Sequence, residues 1–293
     1  MSIHFTVPPR FKLWLKARFF EAQLVFVRAL RSYDADRLLV ALRSLGVRDG
    51  DNVMLHAAFG RQHGFRGTVE QLTNVFIDAV GSEGNLLMVS LPYRSSSLQY
   101  LRALKRFDVR KTPSMMGLVS EFFRRREDVL RSLHPTHPVL VRGPRADWFV
   151  AEHPSCLYPC GPGTPFDRLA SVDGKVLFFN VAFDNYTFFH YLEHMVAPEL
   201  PFSLYTEAPF EVPVVDRDGA ARTVMTYAFA EEAIRRRRFP VFEQALRERG
   251  LIQERRVGNS RILAVRVRDT VDCVREMARR GEYFYDLEAP KPG

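Results

Sequence analysis

Two histidines and a carboxylate fall close together at His190, Glu193 and His194, inside the run Phe183-Asp-Asn-Tyr-Thr-Phe-Phe-His-Tyr-Leu-Glu-His194. If the run is helical, His190 and His194 lie at i and i+4, and Glu193 is a neighbour of His190 at i+3. Two chemistries fit these residue types at this spacing. As H-x-x-E-H, two imidazoles ligate zinc and the glutamate is the general base of a peptidase, with a downstream acid such as Glu207 or Glu211 completing the site. As H-x-x-E after a turn bearing Asp184 and Thr187, a histidine is the general base and carboxylates orient it. The first is a hydrolase and the second a transferase, and the surroundings must decide.

The elements that position this run alternate. Residues 34–45 read as a helix ending near Gly46, and residues 52–56 as a buried strand. Thr68-Val-Glu-Gln71 is a capping-box pattern that opens a helix ending at Gly81. Residues 85–89 form a second strand, 117–126 a helix with a basic end, and 138–142 and 175–181 further strands. Alternation of this kind implies a layered α/β domain. After Pro201 the texture changes: a hairpin is expected over 210–215 and 222–226 about an Asp-Gly turn. Two helices (about 230–236 and 240–249) and a strand–strand–helix ending follow. The expected organisation is an N-terminal amphipathic extension over 1–33 and one domain over 34–288, with a C-terminal elaboration from about 201.

The 293-residue chain is 46% hydrophobic and 26% charged, which are the proportions of a soluble globular protein. Its net charge of +8 points towards anionic partners. The run Arg235-Arg-Arg-Arg238 reads first as a solvated helix end rather than a nucleic-acid surface. Cys156, Cys160 and Cys273 form no paired framework, which fits a reducing cytoplasm. The spacing of Cys156 and Cys160 is a weak metal signal, and structural cysteines are preferred there. No apolar run is long enough to span a bilayer, and the N-terminus does not read as a signal peptide. The basic, aromatic helix expected over 10–32 is assigned to packing on the domain or a second subunit in preference to a membrane surface, and a homodimer through it is a hypothesis.

Three loops beside the expected strands complete the reading. Leu55-His-Ala-Ala-Phe-Gly60 and Gly64-Phe-Arg-Gly67 lead into the capped helix at Thr68, whose free N–H groups suit a phosphate. Lys111-Thr-Pro-Ser-Met-Met-Gly117 precedes Phe122-Phe-Arg-Arg-Arg126 and Arg131-Ser-Leu-His-Pro-Thr-His137. Tyr158-Pro-Cys-Gly-Pro-Gly-Thr-Pro-Phe166 precedes Asp173-Gly-Lys-Val-Leu177. In this order, these motifs resemble the aminoglycoside 3-N-acetyltransferase family, from about Asp34 to Tyr285. The family's next motif, similar to G-x-G-H-D-S-N-T-S-x-H-L-A-E, falls on residues 180–193. Asp184, Thr187, His190 and Glu193 are retained; Asn180, Ala182, Phe183 and Tyr186 depart from it. His194 falls outside the motif, which counts against zinc.

The resemblance implies a three-layer α/β/α fold with a mixed central sheet, and acyl transfer from acetyl-CoA to a small-molecule amine without a metal. His190 would be the base, Glu193 or Asp184 would fix its tautomer, and Thr187 or backbone N–H groups would serve the oxyanion. The loops would hold CoA through His56, Ala57, Ala58, Phe59, Arg66, Gly67 and Thr68, and through Ser114, Met115 and Gly117. His137, Phe183 and Tyr186 are expected to face the acceptor. Because the chain is basic, a nucleotide-linked amino sugar is the preferred acceptor and an aminoglycoside the alternative. An inactive CoA-binding protein is a further alternative, since the motif is altered.

Overall fold

Along each strand of the central sheet, alternate apolar side chains enter two different cores. In the computed structural model, which describes residues 9–288, Met54, Leu87, Val89, Val176, Phe178, Leu263 and Val265 pack on one face. Their neighbours Val53, Leu55, Leu86, Met88, Leu177, Phe179, Ile262 and Ala264 pack on the other. The two-residue period of a strand thus builds three layers, because every central strand is apolar on both sides.

The strands are β1 (Asn52–Ala57), β2 (Asn85–Val89), β3 (Phe107–Asp108), β4 (Leu130–Arg131), β5 (Val139–Arg142), β6 (Lys175–Phe179), β7 (Phe210–Val215), β8 (Ala221–Thr226), β9 (Gln253–Val257) and β10 (Ser260–Arg266). The central sheet runs β4-β5-β2-β1-β6-β10-β9. Its middle is parallel, with β1 between β2 and β6. Both wings are antiparallel, so the sheet is mixed. Helices Ala35–Ser44, Val69–Val80 and Leu118–Arg124 cover one face, and Pro165–Ser171, Phe189–Val196, Phe239–Glu248 and Val267–Arg279 cover the other. The Thr68 capping box forms in full: Thr68 Oγ1 accepts the Gln71 N–H, and the Gln71 side chain accepts the Thr68 N–H.

The region after Pro201 divides in a way its sequence does not suggest. The β7–β8 hairpin joins β3 in a separate three-stranded sheet, closed by helix Ser97–Ala103 and its own core around Phe107, Val212, Val214 and Val224. β9 and β10 instead complete the central sheet. β10 is apolar on both faces and needs cover on both, which only the place beside β6 provides.

Helix Pro9–Leu30 is anchored at its C-terminal end, where Val27 is buried. Gly64 and Gly258 both adopt positive φ against the Arg31 carbonyl, where any Cβ would collide with that oxygen. On its other faces this helix exposes Phe19, Val25 and Leu30.

Candidate active site

β1, β2 and β6 run parallel and end on the same side of the sheet, and a cavity of about 350 Å3 opens at their carboxyl ends. Leu55, His56 and Ala57 from the end of β1, Met88 and Val89 from β2, Met116 and Ser120, residues 184–187, and Phe189 and His190 line it. Phe239 and Arg237 close one wall.

His190 reaches this lining from the first turn of helix Phe189–Val196. Its Nδ1 lies 2.6 Å from Glu193 Oε2, one helical turn on. Glu193 is wholly buried, and its carboxylate is bonded on both oxygens. Arg237 Nε donates to Oε1 at 2.5 Å and Nη2 to Oε2 at 3.1 Å, and the Tyr285 hydroxyl donates to Oε1. Burial alone raises a carboxyl pKa; here the Arg237 charge and the His190 and Tyr285 hydrogen bonds outweigh it, and Glu193 is held below its ordinary value. A carboxylate that stays ionised accepts a hydrogen bond from Nδ1–H, which leaves Nε2 as the basic nitrogen of His190.

His137 stands edge-on to His190 with ring centroids 5.4 Å apart, and Phe229 packs at 4.8 Å. His137 Nδ1 bonds the Thr136 hydroxyl at 3.0 Å. Burial, with the neighbouring His190 second, pushes His137 well below the usual histidine range, so a neutral ring packs against His190. Behind it, His134 Nδ1 accepts the His137 N–H at 3.2 Å. His153 stacks on His134 at 4.4 Å and bonds Ser132 Oγ at 2.8 Å. The Arg131–His137 segment is therefore a buried polar clamp.

The residues present fit a thioester substrate with an amide-bearing arm. The lining is mostly apolar, and the buried Nε2 of the His56 ring, which stacks on Phe178, has no partner among the described residues. Burial lowers the His56 pKa to about 4, so its imidazole is a neutral hydrogen-bonding group at neutral pH.

The family model described as aminoglycoside 3-N-acetyltransferase matches residues 54–279, well over half of the chain. The chain belongs to that family. Among its relatives, aminoglycoside N(3)-acetyltransferase III of Serratia marcescens is 28% identical over 205 residues, covering 66% of this chain and 74% of the relative. Aminoglycoside N(3)-acetyltransferase IV of Salmonella sp is 29% identical over 243 residues, covering 80% and 83%. The fold matches the crystal structure of aminoglycoside acetyltransferase AAC(3)-Xa with a TM-score of 0.74 at 23% identity, over 90% of this chain and 99% of that one. Apo AAC(3)-IVa matches with a TM-score of 0.66 at 25% identity, over 85% and 90%. This family member is an acetyl-CoA-dependent N-acetyltransferase.

Against this geometry, the residues singled out in the family motif separate into three groups. His190 and Glu193 meet. Asp184, Thr187 and Tyr186 line the cavity, but Asp184 is exposed, bonds Asn185 Nδ2 at 2.8 Å and does not orient His190. The Thr187 hydroxyl donates to the Asn185 carbonyl at 3.4 Å. Phe183 is 3% exposed and lies among Phe178, Tyr186 and Phe242: the substituted motif position fills the core and does not face an acceptor. The H-x-x-E-H pair diverges. His194 Nδ1 bonds the Tyr205 hydroxyl at 2.9 Å, and Glu207 and Glu211 are exposed.

The loop residues divide between the cavity lining and other surroundings. His56 and Ala57 line the cavity, whereas the Ala58 N–H is held by the Phe179 carbonyl at 2.9 Å and Phe59 packs on the core. Arg66 is exposed and pairs with Asp34 at 3.1 Å, Gly67 lies against Phe65 and Gln71, and the Thr68 N–H is consumed by its own capping box. None of these three lines the cavity. In the second loop, Ser114 bonds the Ser120 hydroxyl and the Met115 N–H bonds the Leu91 carbonyl. Gly117, at φ +100°, opens the helix, and the adjacent Met116 and Ser120 are what the loop presents to the cavity.

Arg237 and Tyr285 were hidden in the sequence. Arg237 sits in a four-arginine run that reads as a solvated helix end, yet its neighbours behave differently. Arg236 pairs with Glu232, while Arg237 follows the end of helix Glu231–Arg236 and turns inward. An isolated bridge between Arg237 and Tyr285 brings the C-terminal segment to the same carboxylate. No local pattern marks either residue.

Proposed function

We propose that this enzyme transfers the acetyl group of acetyl-CoA to an amine of an aminoglycoside, with His190 as general base. The observation that carries the reading is the Glu193-bound His190 on a cavity at the carboxyl ends of parallel strands. Glu193 holds Nδ1–H, so Nε2 accepts the amine proton as nitrogen attacks the thioester carbonyl. The resulting imidazolium is stabilised by Glu193. Collapse of the tetrahedral intermediate breaks the C–S bond, and the CoA thiolate leaves. The Thr187 hydroxyl, once turned from the Asn185 carbonyl, would serve the oxyanion together with backbone N–H groups, and His56 Nε2 would bond an amide or carbonyl of the CoA arm. In support, a structural relative, AAC-IIIb, is described with CoASH bound, and the curated relatives act on aminoglycosides by name.

The lining also bears on the acceptor. Asp184 is its carboxylate, and its guanidinium, Arg237, is engaged by Glu193. The surplus positive charge of the chain is not gathered here, so a nucleotide-linked amino sugar loses the argument that favoured it, while a cationic amine meets no unpaired cation. The test is thiol release from acetyl-CoA over a panel of aminoglycosides and nucleotide-linked amino sugars. Turnover confined to the nucleotide-linked set would overturn the acceptor, and full turnover by His190→Ala would overturn the base.

A further inference from the structure

A second concavity, of about 530 Å3, opens where the end of β3, residues 124–131 and the tip of the β7–β8 hairpin meet. It shares no lining residue with the cavity around His190. Six guanidinium groups line it, from Arg110, Arg124, Arg125, Arg126, Arg131 and Arg217, against the single carboxylate of Glu127. Three are already ion-paired: Arg124 and Arg125 share Glu121, and Arg126 is bidentate on Asp128.

The other three are not. Arg110 Nη1 donates to the Arg217 carbonyl at 3.3 Å. Arg217 donates to the Val129 and Glu127 carbonyls, both at 3.2 Å. Arg131 donates to the carbonyls of Val109 at 3.3 Å, Thr112 at 2.5 Å and Ser90 at 2.8 Å, and its buried Nε has no partner among the described residues. Among the described residues none of these three takes part in an ion pair. Carbonyl oxygens fix the direction of a guanidinium without cancelling its charge. Burial, with repulsion from Arg124 next, draws the Arg131 pKa down to about 9, and the nearby charges of Glu121 and Asp108 only partly oppose this.

We propose that this cleft is an anion site for a phosphate ester or diphosphate, with Arg110, Arg131 and Arg217 supplying the uncompensated charge. A planar guanidinium presents paired donors matched to phosphoryl oxygens, and three around one cleft suit a group with several anionic oxygens better than a single carboxylate. The phosphates of CoA and those of a separate phosphorylated ligand share this chemistry. The site itself does not depend on the acetyl-transfer reading.

Calorimetric titration of the full chain with inorganic diphosphate tests it. The wild type binds, more weakly as salt rises, and Arg110→Gln/Arg217→Gln weakens binding by about tenfold or more while the lysine pair Arg110→Lys/Arg217→Lys retains part of it. If the double variant does not fold, as judged by its melting curve, Arg110→Gln alone carries the test, because this exposed side chain bonds one carbonyl. No binding by the wild type, or equal binding by a folded glutamine variant, overturns the proposal. Kinetics separate the sources. A rise in KM for acetyl-CoA but not for S-acetylpantetheine, which lacks the nucleotide phosphates, assigns the cleft to CoA. Unchanged KM for both, with diphosphate affinity lost, assigns it to a separate phosphorylated ligand. If no acceptor supports turnover, the transferase reading fails and the diphosphate titration still stands.

Discussion

Arg237 and His190 grip the same carboxylate: Arg237 Nε donates to Glu193 Oε1 at 2.5 Å while His190 Nδ1 lies 2.6 Å from Oε2. The arginine keeps the glutamate ionised inside the core, and the ionised glutamate sets the tautomer of the base. Glu193→Gln preserves shape but removes the charge that stabilises an imidazolium. Its kcat is expected to fall by roughly 10²–10⁴, similar to loss of His190 itself, in a thiol-release assay at saturating acetyl-CoA. A kcat within twofold of wild type would remove Glu193 from the mechanism.

Arg237→Gln leaves a buried carboxylate short of its main counter-charge. Breaking a buried pair by removing one partner costs roughly 3–5 kcal/mol, and the lower end applies because Arg237 keeps some exposure. Tyr285→Phe removes a single hydrogen bond to a charged group, at about 1.5–3 kcal/mol. Chemical denaturation should therefore rank Arg237→Gln below Tyr285→Phe, and the reverse order would show that the hydroxyl is the principal partner.

Phe183 and Asp184 are adjacent in the chain and predicted to behave oppositely. Phe183→Ala empties a position packed among aromatic rings and should cost roughly 3–5 kcal/mol of stability. Asp184→Asn, at an exposed position on the cavity lining, should leave stability within about 0.5 kcal/mol and raise KM for a polycationic acceptor. Melting curves and acceptor titrations on the two variants check this together.

Acid should destabilise the enzyme from near neutrality downwards. Burial holds His56 at about 4 and His153 at about 3, and places His134 and His137 well below the ordinary histidine value. Between those depressed values and about 6.5 the unfolded chain binds more protons than the folded one, so stability is full above that range and is lost as pH falls through it. Each histidine contributes a slope of about 1.4 kcal/mol per pH unit inside its own window. Glu193, held below its ordinary value of 4.5, adds its own loss as pH falls below that value. Melting temperatures across pH 8 to 4 measure the trend, and a flat profile down to the carboxylate range would contradict the burial of these rings as neutral species.

Much of the frame was legible because it is written in local pattern. The period-two apolar strands at 52–57, 85–89 and 175–179, the Thr68 capping box and the Asp-Gly hairpin each depend on residues close in sequence, where steric and hydrogen-bonding preferences act directly. The place of β9 and β10 was not legible, because membership of the central sheet depends on which edge is free when the chain returns.

The same division runs through the site. His190 and Glu193 lie one helical turn apart, so their pairing follows from sequence once the segment is a helix, and the family motif identifies the pair. What holds Glu193 is decided only in three dimensions. Arg237 comes from the residue after one helix and Tyr285 from the C-terminal segment, 44 and 92 positions away, and both arrive through packing with no shared pattern. Tertiary structure likewise dissolved the metal reading: helical spacing places His194 near His190, but Tyr205 takes it. It also moved Phe183 from the acceptor to the core, because an aromatic ring goes where apolar volume must be filled, and a sequence states the ring without stating the void.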